Sequence, residues 1–72
     1  MEYIIVEIKD EPNADTDVLI NRRANGRTGV LIILGGPGRI LISADWPGAQ
    51  EQKVDVKNTT ANHPINVTIE CT

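Results

Sequence analysis

Five aliphatic residues in a row, Val30-Leu31-Ile32-Ile33-Leu34, stand between two turn signals, and this constrains the fold more than any other feature. Asn25-Gly26 lies on one side, after the run Val18–Arg23. Gly35-Gly36-Pro37-Gly38 lies on the other, before Ile40–Ile42. Successive side chains of a strand point to opposite faces, so an unbroken apolar run is greasy front and back and needs cover on both. A chain of 72 residues has little material to cover it twice.

The size sharpens that problem. A chain this short buries only roughly 60% of its unfolded surface, and disulfides, a structural metal or association usually supplement the core. Cys71 is the only cysteine and His63 the only histidine, so neither an internal disulfide nor a Cys/His zinc site can be built. The composition, 40% hydrophobic and 24% charged, is that of a folded domain. Tyr3 and Trp46 are the only aromatic residues, which leaves a core of Ile, Val and Leu and favours strands. A net charge of −3 argues against nucleic acid as a partner by bulk attraction. No apolar run approaches the roughly 18 residues of a membrane span. The starting Met, without a basic and apolar leader after it, is read as synthesis without a secretory signal, in the cytoplasm or as part of a viral particle. The two Asn-x-Thr triplets, at Asn58 and Asn66, are then chance matches.

Gly, Pro, Asn or Asp interrupts the chain every 8–12 residues, the spacing of a small sandwich or partly open barrel. Six antiparallel strands are expected in a single domain over 1–72: Glu2–Lys9, Val18–Arg23, Thr28–Leu34, Arg39–Ala44, Gln52–Lys57 and Pro64–Cys71. A type I′ turn at Asn25-Gly26 pairs Ile20 with Leu31 and Val18 with Ile33. A tight turn within Gly35–Gly38 then pairs the second run with the third. That register places Val18, Ile20, Leu31, Ile33, Ile40 and Ile42 on a core face. It leaves Leu19, Val30, Ile32, Leu34 and Leu41 on the opposite one, where such a patch marks an interface. The first strand, two-sided through Tyr3 and Ile5, is the alternative cover for it.

Residues able to carry chemistry are sparse. His63 lies in a turn and Cys71 near the end of the chain, so neither assembles with a nucleophile or an orienting acid. Asp10, Glu11, Asp15 and Asp17 share one polar connection but lack the spacing of a calcium loop. Gly35–Arg39 leads into a strand rather than a helix, which suits a turn better than a phosphate cradle. No cofactor or metal is expected. Arg22, Arg23 and Arg27 surround the expected hairpin tip, and their guanidinium forks suit an acidic partner or anionic ligand. Trp46, before Pro47-Gly48, is read as a lid over one end of the sandwich.

The segment Val54-Asp55-Val56-Lys57-Asn58-Thr59-Thr60, followed by His63-Pro64-Ile65-Asn66-Val67-Thr68-Ile69, resembles the strand–turn–strand pattern of immunoglobulin-like β-sandwiches. The resemblance covers under a third of the chain, and the Cys-Trp-Cys core of antibody domains is absent. It implies a sandwich fold with adhesive or assembly roles and carries over no functional residue. The compact, acidic, aromatic-poor composition is also similar to small phage structural and adaptor proteins. The expected function is a non-enzymatic assembly or interaction module that self-associates through Leu19, Val30, Ile32, Leu34 and Leu41. The second expectation is a monomer that captures an anionic ligand or partner through the arginine tip.

Overall fold

The computed structural model describes residues 1–72, which form seven strands and no helix. β1 (Glu2–Ile8) alternates cleanly, with Ile4, Val6 and Ile8 buried and Tyr3, Ile5 and Glu7 on its other side. It is the middle strand of a three-stranded sheet, antiparallel to β4 (Ile32–Leu34) and parallel to β7 (Ile65–Ile69). β2 (Asp17–Ile20), β3 (Arg23–Arg27), β5 (Gly38–Ala44) and β6 (Gln52–Val56) make a second, wholly antiparallel sheet in the order β3-β2-β5-β6. The inward residues of both sheets meet in one cluster that includes Ile4, Val6, Val18, Ile42, Val56 and Ile69, all at 0% exposure. The result is a small β-sandwich. Its radius of gyration of 11.1 Å is about that of a close-packed chain of this length.

Six antiparallel strands were expected and seven are present, one pair of them parallel. The difference arises at the two turns. The first hairpin reverses at Asn21-Arg22, whose φ values of 51° and 68° are both positive, as a two-residue type I′ turn requires. Leu41 holds Asn21 in place twice: Asn21 N donates to the Leu41 carbonyl at 2.8 Å, and Leu41 N donates to Asn21 Oδ1 at 3.1 Å. Asn25-Gly26 instead forms a bulge inside β3, where two residues oppose Val18 and the register slips by one. Gly26 has φ 84°, and a Cβ there would lie 2.7 Å from Ile32 Cγ1. The positive backbone angle that suggests a turn serves a bulge equally well.

The second expected hairpin is absent. Gly35–Pro37 carries the chain from β4 in one sheet to β5 in the other. β4 therefore takes its register from β1, with Tyr3 opposite Ile33 and Ile4 opposite Ile32. Tyr3 faces outward, so Ile33 does too, and Ile32 and Leu34 turn inward to 4% and 8% exposure. The expected core face holds for Val18, Ile20 and Ile42 and, half-buried, Ile40; Leu31 and Ile33 are outside it.

Candidate interaction surface

The outer face of the three-stranded sheet carries exposed aliphatic residues, and a further one stands in the bend that leads into it. Ile33 is 58% exposed and stands beside half-buried Tyr3, its register partner. Leu31 precedes β4 with the same parity as Ile33 and is 37% exposed, and Val30, next to it, is 57% exposed. Ile5 shares the Tyr3 side of β1 and is half-buried. The face continues across β7 through Asn66 and Thr68, opposite Ile5 and Glu7. One half of the sheet is thus apolar on its outside and the other half polar.

The five residues expected to form an interface do not lie together. Ile32 and Leu34 belong to the core, because pairing with β1 decides which side of a wholly apolar strand turns inward. Leu19 and Leu41 are half-buried on the outside of the other sheet, where Lys53 neighbours Leu41 across the strands. Only Val30 remains in the exposed apolar group. Leu31 and Ile33 were missed because neighbouring aliphatic residues give no parity signal. The two-sided character of the first strand, through Tyr3 and Ile5, was the cue to this face.

The arginines are also dispersed. Arg22 sits in the turn and makes a two-pronged contact with Glu51, Nε to Oε2 at 3.1 Å and Nη2 to Oε1 at 3.3 Å. Arg23 opens β3, and Arg27 closes it five residues beyond the turn. Arg27 donates from Nη2 to Asp15 Oδ1 and from Nη1 to Asp17 Oδ1, both at 2.9 Å. These bonds raise the pKa values of Arg22 and Arg27. A tip of three free cations does not form, because the reversal occurs before Arg23 and acidic residues of the same chain occupy two of the guanidiniums. The Arg27 guanidinium lies between the Asp15 and Asp17 carboxylates, two of the four acids of the polar connection.

A second polar site closes one end of the sandwich. Thr59 Nα–H and Oγ1–H both donate to Glu2 Oε1, at 2.9 and 2.6 Å, while Thr59 Oγ1 accepts from Tyr3 N at 2.7 Å. The Thr59 hydroxyl, then its backbone N–H, holds the Glu2 carboxylate below the ordinary range; partial burial opposes this and the Met1 ammonium assists it. No sequence pattern announced this pair, 57 residues apart. Trp46 is half-buried against the core cluster. His63 is exposed in a turn closed on Thr60, and Cys71 is exposed. The surface has no pocket, and no three metal-binding side chains converge.

The fold defines this chain as a small two-sheet β-sandwich. No family model matches it, and no curated protein or solved structure matches it either.

Proposed function

We propose that this protein is a non-enzymatic assembly module that self-associates through the outer face of its three-stranded sheet. The observation that carries the reading is the exposure of Val30, Leu31 and Ile33, each more than a third exposed within four residues of chain, with Ile33 opposite Tyr3 on the outer face. Apolar patches of this kind mark contact surfaces more often than ordinary surface. Covering three partly exposed aliphatic side chains on each of two copies yields about 6–9 kcal/mol. Association costs of about 4–15 kcal/mol oppose it and leave at most about 5 kcal/mol, which makes the contact reversible and sub-millimolar at its tightest. The partner class is another copy or a protein assembly rather than nucleic acid or a membrane.

An immunoglobulin-like affinity belongs to the same proposal. It is supported by the division into sheets of four and three strands, the number in constant-type domains. The parallel β1–β7 pair departs from a purely antiparallel plan.

Sedimentation across micromolar to millimolar concentrations tests self-association. The native chain is expected to gain mass with concentration, and Ile33→Asp is expected to stay monomeric and folded. A native chain that remains monomeric throughout defeats the proposal. Raising the salt concentration should leave the association intact, since screening weakens ion pairs and not apolar contact.

A further inference from the structure

The two sheets end in four edge strands, and three of these carry features that discourage pairing with another chain. β3 carries Arg23 and Arg27, and β6 carries exposed Lys53 and Asp55. On β7, the Gln52 side-chain amide donates to the Thr68 carbonyl at 2.7 Å, and just beyond the strand Gln50 N donates to the Glu70 carbonyl at 2.9 Å. Charges and covered carbonyls are the usual protection of a sheet edge. β4 has neither. It lies within Gly29–Gly36, eight residues without a charge, and β1 is its sole strand partner. No backbone or side-chain hydrogen bond reaches its other side.

We infer that β4 pairs antiparallel with β4 of a second copy about a two-fold axis at Ile33, joining two three-stranded sheets into one of six. The inference rests on the self-association proposed above and specifies its geometry. The choice of a second copy follows from how the run fits itself. With Ile33 opposite the partner's Ile33, Leu31 falls beside the partner's Gly35 and Val30 beside the partner's Gly36. Both glycines have open space where a side chain would stand, so Leu31 and Val30 each meet a vacancy while Ile33 packs against its own copy. The seam sets no charge against its like, although each copy has a net charge of −3. The apolar outer faces of the two copies become continuous across it. A seam this short gives a weak, concentration-dependent dimer.

Cysteine pairing tests the register in a Cys71→Ser background. Opposed residues of an antiparallel pair have Cα atoms about 4.5–5.5 Å apart, within the roughly 4.4–6.8 Å that a disulfide spans. Ile33→Cys is expected to oxidise to a covalent dimer. A mixture of Val30→Cys and Gly36→Cys chains is expected to give the mixed dimer. Val30→Cys alone is expected to give none, because its two copies lie about 20 Å apart along the seam. A dimer by sedimentation with a different cross-linking pattern overturns the edge pairing and leaves self-association standing. A chain monomeric at millimolar concentration overturns both. Amide exchange of the native chain supplies a readout free of substitutions. Slowing at Leu31–Leu34 with rising concentration supports the seam, and unchanged rates in a demonstrated dimer overturn it. Slowing produced only by an unrelated apolar peptide overturns the choice of a second copy.

Discussion

Gly26 shows how one residue type can be read correctly and placed wrongly. Its positive φ was evident from Asn25-Gly26, yet a hairpin turn and a bulge demand the same backbone angle, and nothing local separates them. Contacts beyond the dipeptide decide: Leu41 secures Asn21, and Ile32 occupies the space beside Gly26. Gly26→Ala should cost about 2–4 kcal/mol, from the left-handed backbone and the clash with Ile32. A fall in the urea midpoint measures it. Glu2 is the other residue whose role is conformational. Its folded pKa is lowered, so its contribution to stability is present above the ordinary carboxylate value near 4.5 and fades as pH falls through the lower folded value. Glu2→Gln should therefore flatten the acid limb of stability as pH falls below the ordinary carboxylate value near 4.5, as urea midpoints along that limb would show.

At the level of elements, β1, β6 and β7 were legible because each alternates between apolar and polar or half-buried positions, so only one face suits the core. β4 was not, since both its parities are aliphatic and the pairing with β1 alone orients it. Two neighbouring substitutions expose this. Ile32→Asp buries an unpaired carboxylate and should unfold a domain whose whole stability is about 4–11 kcal/mol, while Ile33→Asp should melt close to the native temperature. Circular dichroism distinguishes them. The polar connection between β1 and β2 was legible as a loop but not as an anchored one. Thr28 Oγ1 donates to the Ala14 carbonyl at 2.8 Å and accepts from Thr16 N at 3.2 Å. Thr28→Val leaves both groups short of a partner and should cost about 1–3 kcal/mol, with faster amide exchange at Thr16.

For the whole molecule, an all-β sandwich followed from turn spacing and β-branched composition, while the assignment of strands to sheets did not. Two glycines and a proline permit either a hairpin or a crossing between sheets, and packing against β1 selects the crossing. The position of β1 has a further consequence. β1, the earliest strand of this sandwich, is completed on one side only by β7, Ile4 through Ile8 lying alongside Ile65 through Ile69. A nascent chain therefore holds Ile4, Val6 and Ile8 in readiness with one flank bare until β7 clears the ribosome, and a ribosome stalled after β6 would display a sticky half-sheet to chaperones and proteases.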